Sequence, residues 1–325
     1  MSADNSVVFK AGLTEEGDRS GAVGEPKVWG LHGCFLLVGN GNVTNSRCGT
    51  FGSHWGCVRV ELHDKITLDG HNHKGKVYVQ KVFNSCDKPS CPVCYKKGWA
   101  VRQAGRIEAR LKEAAKRFGQ VEHIVISVPV KDYDLDLRCL RKKVIEILIS
   151  CGVVGGCIIF HGFRYRRAKG WYWNVHFHIL GFVLGGYSRC RHCTGGNCYS
   201  CDGIEGRLYR VYRDSGYIVR VLDERKTVGG TAWYQLNHAT VKAGAKCFRV
   251  VTWFGVCSYR KLKVSPEFRR RFCPICQHDL ERLRYFGSKD WFSGEFEKKS
   301  NFEAGYFENG QPVWFVDTRP ERSDE

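Results

Sequence analysis

Two histidines one residue apart are the clearest sign of chemistry in this chain. His176 and His178 lie in the strand-like run WYWNVHFHILGFV, so both imidazoles project from the same face of a predicted sheet. The run GGCIIFHGFRYRR (155–167) precedes it across a glycine-containing turn, and a hairpin centred there sets His161 opposite His176. Three imidazoles that leave positions open for oxygen ligands suit Mn²⁺, and Mg²⁺ acceptably. We therefore predict a divalent-metal site at these three histidines, with purely structural histidines as the alternative.

A tyrosine on a predicted helix supplies a candidate nucleophile. Residues 229–244 are predicted to form a helix bounded by glycines, on which Tyr234 and His238 lie one turn apart and share a face. A phenol with a pKa of about 10 is protonated at neutral pH, and a neighbouring base or a metal-bound water can accept its proton. We predict Tyr234 as the nucleophile with His238 beside it; the alternative is a core helix with the tyrosine packed inward. The tyrosines held in reserve are Tyr209, Tyr212 and Tyr217.

The 17 cysteines include one group that can supply all four ligands of a zinc ion. Two CxxC pairs separated by four residues place four thiolates within reach of one tetrahedral ion, which leaves no open position for catalysis. We therefore predict a structural zinc held by Cys190, Cys193, Cys198 and Cys201.

Two further cysteine groups are incomplete on their own. Cys86, Cys91 and Cys94 offer three thiolates, and the pair Cys273 and Cys276 offers two. For the first group the candidate fourth ligands are Cys57, Cys48, His54 and His63. For the pair the candidate partners are Cys257 and Cys247. The cysteines expected to be ordinary buried thiols are Cys34, Cys139, Cys151 and Cys157.

The charge balance favours a polyanionic partner. The chain carries 51 Lys and Arg against 33 Asp and Glu, a net charge of +18, and 13% of its residues are aromatic. Cations follow phosphates and aromatic rings stack on unpaired bases, so nucleic acid is the simplest partner. Both residue types concentrate around the predicted hairpin, where a solvated turn is the alternative to DNA contact. The residues expected to contact DNA are Arg164, Arg166, Arg167, Lys169, Trp171 and Trp173.

Helices and strands that could position these residues alternate through the middle of the chain. Predicted helices span 96–118 and 135–150, and predicted strands span 123–130, 217–223 and 248–256, besides the hairpin. Before them, the short runs CFLLV, CVRVELH and KVYVQKVF predict a small β-rich module.

The ordered blocks together resemble the HUH endonuclease superfamily, specifically rolling-circle replication initiators of archaeal plasmids and viruses. The segments that carry the resemblance are IVISVP (124–129), FHGFR (160–164), HFHILG (176–181) and YQLNHA (234–239), which are similar to the family's apolar strand, FHPFR-like, paired-histidine and single-tyrosine motifs. Gly162 stands where proline is usual, and His238 where many relatives have lysine. The resemblance covers about residues 86–262.

The resemblance implies a fold and a reaction. The fold would be α+β, with a central antiparallel sheet of HUH-endonuclease, RRM-like type, flanking helices and small zinc-stapled β-rich modules. A divalent ion on His176 and His178, with His161, would polarise a phosphate of single-stranded DNA. Tyr234 would attack it, giving a 5′-phosphotyrosine link and a free 3′-hydroxyl. The DNA would be a replication origin, and the helicase and polymerase would come from the host, because the nearest phosphate-loop match, GHNHKGKV (70–77), lacks the Ser or Thr that holds magnesium.

On this basis we divide the chain into four predicted segments. They are a flexible stretch over 1–26, a zinc-binding β-rich module over 27–95, an HUH endonuclease domain over 96–262 with its zinc insert at 190–201, and a C-terminal extension over 263–325. No run approaches the roughly 18 apolar residues of a membrane span, and the first 26 residues do not resemble a signal peptide. We expect a cytoplasmic, plasmid- or virus-encoded protein of a prokaryotic host, with no membrane partner.

Three alternative functions stay open. A single-strand transposase of the same superfamily would share the chemistry and differ in its DNA partner. A non-enzymatic zinc-ribbon protein would bind nucleic acid and use the histidines structurally. A metal-dependent nuclease that activates water would cut without Tyr234.

Overall fold

The computed structural model describes most of the chain, in nine stretches. These are residues 34–43, 45–64, 71–168, 170–184, 204–222, 227–245, 248–264, 272–291 and 301–319. The segment predicted over 1–26, the insert at 190–201, Lys169 and Cys247 lie outside the described residues. Within the described ranges the fold is α+β, with antiparallel sheets and few helices, which confirms the coarse fold class.

Fourteen strands and five α-helices, with a π-helical segment at Tyr95–Ala100 and a 3-10 turn at Val130–Asp132, make up the regular structure of these ranges. The strands are β1 (Phe35–Leu37), β2 (Phe51–Cys57), β3 (Lys76–Phe83), β4 (Glu122–Ser127), β5 (Val153–Arg166), β6 (Gly170–Val183), β7 (Ile218–Leu222), β8 (Thr240–Lys242), β9 (Val251–Gly255), β10 (Glu281–Tyr285), β11 (Asn301–Gly305), β12 (Phe307–Glu308), β13 (Gln311–Pro312) and β14 (Trp314–Val316). The helices are α1 (Val60–His63), α2 (Val101–Phe118), α3 (Leu137–Ser150), α4 (Ile204–Ser215) and α5 (Val228–Leu236). None of these helices is both long and apolar enough to cross a membrane.

The larger of two compact units contains a five-stranded antiparallel sheet in the order β7-β4-β6-β5-β9. Its described residues lie in 34–49, 85–184, 204–222, 227–245 and 248–264, with the gaps given above. The long hairpin of β5 and β6 is the centre of this sheet, and β4 and β9 pair with its two outer edges.

A bulge in β6 sets the register of this hairpin at the histidines. Phe163 pairs with Trp173 near the turn, whereas His161 pairs with His176 further along, because two residues of β6, Asn174 and Val175, stand against the single residue Gly162 of β5. The predicted opposition of the two histidines is therefore confirmed, although a regular hairpin continued from the turn would have displaced it by one residue.

Alternation along the strands gives the sheet two apolar faces. Phe177 and Ile179 of β6 face the core formed with Leu140 and Val144 of α3, to which α4 also contributes. On the opposite face, Leu180 and Phe182 follow His178 at every second position of β6. They pack in a second core with α2 and α5, which contribute Ile107, Leu111 and Leu236. The histidines thus lie on the α2–α5 face, where this apolar core ends.

Glycine makes the close pairing of β5 and β6 possible. A Cβ at Gly156 would overlap the carbonyl oxygen of Leu180, and a Cβ at Gly181 would come within 2.5 Å of the carbonyl oxygen of Gly155. Any larger residue at Gly156 or Gly181 would push the two strands apart.

The smaller unit has its own five-stranded antiparallel sheet, in the order β11-β3-β2-β10-β14. Its described residues are 50–64, 71–84, 272–291 and 301–319. The predicted boundaries assigned β2 and β3 to a module ending at 95 and β10, β11 and β14 to a separate extension. In the structure these strands pair with one another and share an apolar core, so the two stretches form one unit.

Two predicted elements differ in kind from those observed. The helix expected over 229–244 ends at Leu236, because the β-branched run that follows forms β8 and pairs with β1. In the run CVRVELH the strand β2 stops at Cys57 and the remainder turns into the short helix α1. The helix α4 was not predicted.

A buried carboxylate links α3 to the start of β7. Asp132 accepts hydrogen bonds from the Tyr217 hydroxyl at 2.6 Å and from the Lys143 ammonium at 2.8 Å. Burial alone would raise the pKa of Asp132, but these two donors and nearby positive charge lower it on balance. The carboxylate is therefore ionised at neutral pH and depends on both donors.

Tyr217→Phe should destabilise the protein by about 1.5–3 kcal/mol, because a buried carboxylate loses one of its two donors. Urea unfolding at pH 7 measures the change. A lowered folded-state pKa contributes stability that is present above the ordinary Asp pKa and lost as pH falls through the lowered one, so the difference from wild type should shrink in acid. Tyr212→Phe, an exposed tyrosine of α4, is the matched control and should change stability by less than about 0.5 kcal/mol. Equal stability of Tyr217→Phe and wild type would contradict this account.

Candidate functional site

Three histidines meet on one face of the larger sheet. His161 of β5 stands opposite His176 of β6, and His178 lies two residues along β6 on the same side. The ring centroid of His161 lies 5.2 Å from that of His176 and 4.5 Å from that of His178. One nitrogen from each ring lies within 4.8 Å of the other two, so the three side chains could hold one metal ion.

Hydrogen bonds fix two of these rings in position. Nδ1 of His176 lies 2.7 Å from the carbonyl oxygen of Asn174, which can only accept, so this nitrogen donates and Nε2 keeps its lone pair. Nδ1 of His178 lies 2.9 Å from Nε2 of His123. Nε2 of His161 is buried and has no hydrogen-bond partner among the described residues. A buried nitrogen lone pair beside two oriented imidazoles fits a divalent ion.

Burial keeps these histidines neutral. It lowers the pKa of His176 to about 4, and it lowers the pKa of His161 and His178 well below the ordinary value, with the neighbouring imidazoles adding to the effect. Neutral imidazole is the form that binds a metal, so at pH 7 no proton has to leave before the ion binds.

His123 of β4 belongs to this site, although the sequence analysis gave it no role. Its Nε2 contacts Nδ1 of His178, and the side-chain nitrogen of Gln235 lies 3.4 Å from the same Nε2. The sequence signal was present, since His123 begins a predicted strand. The register of β4 against β6, with His123 opposite Leu180, could not be derived from spacing.

Tyr234 and His238 lie at the same cavity as the three histidines. This cavity has a volume of about 850 Å³ and is lined by residues of β4, β5, β6, β7 and α5. The Tyr234 side chain is 40% exposed. The His238 ring stands 4.8 Å from the Tyr234 ring, edge to face, and its Nδ1 lies 3.1 Å from the Tyr234 carbonyl oxygen. The two residues therefore stay together even though His238 lies beyond the end of α5.

The reserve tyrosines do not reach the cavity where they are described. Tyr217 is fully buried and its hydroxyl is bonded to Asp132. Tyr212 lies on α4, which packs on the opposite face of the sheet. The side chain of Tyr209 lies outside the described residues.

The residues expected to contact DNA fall into three groups. Arg164 and Trp171 line the cavity, and the Trp171 ring lies 5.8 Å from the His238 ring. Arg166 and Arg167 are exposed. Trp173 instead packs against Phe35 and Phe163, because the bulge changes the packing of β6 at that point.

One cation at the cavity was missed by the sequence analysis. Arg220 of β7 is exposed and lines the cavity. It pairs with Val125 of β4, which pairs on its other side with His178 of β6, so the three residues lie in one row across the sheet. Only the pairing of β7 with β4 brings it to the histidine face, so no local pattern could have identified it.

Two further groups of side chains have the geometry of closed metal sites. Cys48 joins Cys86, Cys91 and Cys94 in the larger unit, and Cys57 and His63 join Cys273 and Cys276 in the smaller unit. Tetrahedral zinc with bonds of about 2.3 Å separates its sulfur ligands by about 3.8 Å. The Cys48–Cys94 and Cys57–Cys276 sulfurs are 3.8 and 3.5 Å apart, and Nε2 of His63 lies 3.3 Å from the Cys276 sulfur. Each group could hold a metal such as zinc.

The structure selects one of the four candidates for the Cys86 group and gives the Cys273 pair two partners that were not proposed for it. Cys48, and not Cys57, completes the Cys86 group, and Cys57 lies with Cys273 because β2 and β10 are neighbours. Cys257 lies in the core of the larger unit, where its carbonyl accepts from the buried Arg110 guanidinium. His54 is buried but belongs to neither group. Of the four expected buried thiols, Cys151 and Cys157 are buried, Cys34 is half-buried and Cys139 is exposed.

No family model, curated protein or solved structure matches the chain. The functional argument therefore rests on the geometry of the site.

Cys273→Ala should lower the zinc content by one ion per chain and lower the thermal midpoint, because the smaller unit would lose a ligand of a closed site. Elemental mass spectrometry and a thermal scan measure the two effects. Cys139→Ala removes an exposed thiol outside both groups and is the control. Unchanged zinc content in Cys273→Ala would refute the assignment.

His123→Ala should weaken Mn²⁺ binding by roughly 10- to 100-fold while the fold is retained, because the partner that orients His178 is lost. Electron paramagnetic resonance titration of zinc-loaded protein with Mn²⁺ gives the affinity without any activity assay. The surface variant His71→Ala should bind as wild type does. Wild-type affinity in His123→Ala would show that His123 does not support the ligand set.

Proposed function

We propose that this chain is a rolling-circle replication initiator of HUH endonuclease type, which nicks single-stranded origin DNA and later rejoins the strand. The observation that carries the proposal is the convergence of His161, His176 and His178 with Tyr234 in one open cavity. The antiparallel sheet with helices packed on it is compatible with the coarse α+β class that the resemblance implies.

Tyr234 is the proposed nucleophile. The hydroxyl of this 40% exposed residue attacks the phosphorus in line, a bond forms between Oη and phosphorus, and the bond from phosphorus to the 3′-oxygen breaks. The products are a 5′-phosphotyrosine link and a 3′-oxygen that takes up a proton to become the priming hydroxyl. Rejoining is the reverse transfer onto a 3′-hydroxyl.

His238 is the proposed acceptor of the phenol proton. Its Nδ1 donates to the Tyr234 carbonyl, so Nε2 is the nitrogen that carries a lone pair. Its ring is within 4.8 Å of the phenol ring, close enough for a small rotation to bring the groups into hydrogen-bond contact.

The three histidines would hold the divalent ion, Mn²⁺ or Mg²⁺, whose chemistry is to stabilise the charge that develops on the scissile phosphate. Their own task is to present neutral nitrogens from a rigid sheet. The two cysteine-rich groups would hold structural zinc.

The cavity walls suit a single strand. Arg164 and Arg220 supply positive charge for phosphates, and Tyr165 and Trp171 supply exposed rings on which bases can stack. The proposed partner is origin DNA in the cytoplasm of a prokaryotic host, with the host helicase and polymerase acting afterwards.

Tyr234→Phe should abolish the covalent protein–DNA adduct while single-strand binding is retained, because only the nucleophilic oxygen is removed. The assay incubates the protein and Mn²⁺ with single-stranded fragments tiling both strands of the encoding replicon and resolves the products on denaturing gels. His176→Ala/His178→Ala should lose the adduct as well.

The control variant is Tyr212→Phe, which should form the adduct at the wild-type level. Cleavage without a linked band would mean that water is the nucleophile. Binding of every fragment without cleavage, by folded and metal-loaded protein, would favour the non-enzymatic zinc-ribbon function.

A further inference from the structure

A second surface with cations and aromatic rings lies in the smaller unit, on the strands β10 and β14. Arg282 and Arg284 alternate along β10, and Phe286 follows in the same alternation. Phe315 pairs with Arg284, and the backbone nitrogen of Asp317 bonds the carbonyl of Arg282 in continuation of the same ladder. Because opposed residues share a face, these side chains project together. We call this set, with Arg319, the arginine–phenylalanine stripe.

The stripe lies on the side of the sheet away from the apolar core. The alternate residues Leu283, Tyr285 and Trp314 belong to that core. The rings of Phe286 and Phe315 are 64% and 42% exposed, and they meet edge to face with centroids 5.6 Å apart. Arg284 lies 5.6 Å from the centre of the Phe286 ring. Two exposed rings in contact, with a guanidinium group beside them, form a patch of the kind that marks a binding surface.

One carboxylate gathers three guanidinium groups. The Asp317 side chain is only 2% exposed and lies 2.8 Å from Arg319, 3.4 Å from Arg282 and 3.9 Å from Arg284. One negative charge cannot neutralise three positive ones. The carboxylate thus holds the cations together on the surface and leaves a net positive charge there.

A cavity of about 530 Å³ adjoins the stripe. Its described lining has four cationic side chains against two carboxylates, namely Arg282, Arg284, Lys289 and Arg319 against Asp290 and Asp317. The volume is in the range of small-ligand sites, enough for an unstacked base and its phosphate.

We propose that the arginine–phenylalanine stripe is a second binding surface for single-stranded nucleic acid, separate from the histidine cavity. Guanidinium groups contact phosphates, and Phe286 and Phe315 stack on bases. Charge complementarity selects a polyanion, and the exposed rings select one whose bases are unpaired. The proposal extends beyond the nicking reaction and does not depend on it.

The test measures binding of a fluorescently labelled 20-mer of deoxythymidine and of a 20-base-pair duplex by anisotropy. The full chain is used in an Arg164→Ala/Arg220→Ala background, which reduces the contribution of the histidine cavity. Phe286→Ala/Phe315→Ala should weaken single-strand binding by about tenfold or more, with little effect on the duplex. Arg284→Ala/Arg319→Ala should reduce the slope of log affinity against log salt by about 1.4, at roughly 0.7 per phosphate contact.

Arg138→Ala/Lys142→Ala is the charge-matched control, since it removes two exposed cations of α3 in the other unit. It should leave the salt slope within about 0.3 of the parent value. Thermal unfolding and zinc content establish that each variant is folded. Single-strand affinity and salt slope unchanged in both stripe variants would overturn the proposal. Equal loss for strand and duplex in the phenylalanine variant would also overturn it, because stacking on unpaired bases would then not be the interaction.

Discussion

The antiparallel pairing of β5 with β6 determines where the candidate catalytic groups lie, because it brings His161 of one strand to His176 and His178 of the other. The pairing depends on Gly156 and Gly181, where the two backbones approach too closely for a side chain. It also depends on the bulge at Asn174 and Val175 of β6, without which His161 would pair with Val175 instead of His176. Packing on both faces of the hairpin holds this register, since each face buries an apolar layer against helices.

The same burial that stabilises the sheet prepares the site for a metal. An imidazole withdrawn from water loses its proton readily, so the three histidines are neutral nitrogen donors at physiological pH. A buried donor or acceptor without a partner is costly, and Nε2 of His161 is in that position among the described residues. A bound divalent ion would relieve this cost, so metal binding and the stability of the hairpin should be coupled. Tyr234, in contrast, remains accessible at the rim of the cavity.

Local patterns in the sequence were sufficient for the hairpin, the paired histidines and the tyrosine with its neighbouring histidine, because strand alternation and helical spacing act over a few residues. They were insufficient where position depends on long-range pairing. His123 and Arg220 reach the site only through the registers of β4 and β7. Cys57 and Cys276 are far apart in sequence and meet because β2 and β10 are adjacent in one sheet. Trp173 was assigned to DNA contact because basic and aromatic residues cluster around the hairpin, and its packing against Phe35 could not be inferred from its neighbours in the chain.

The most direct test of the central claim is to identify the residue that carries DNA after the reaction. The protein is incubated with Mn²⁺ and cleavable single-stranded origin DNA, digested with nuclease and trypsin, and analysed by mass spectrometry. The tryptic peptide 227–242, TVGGTAWYQLNHATVK, contains Tyr234 as its one tyrosine. We predict that this peptide carries a 5′-phosphonucleotide on Tyr234. A nucleotide found on any other peptide, or cleaved DNA with every tyrosine unmodified, would contradict the account.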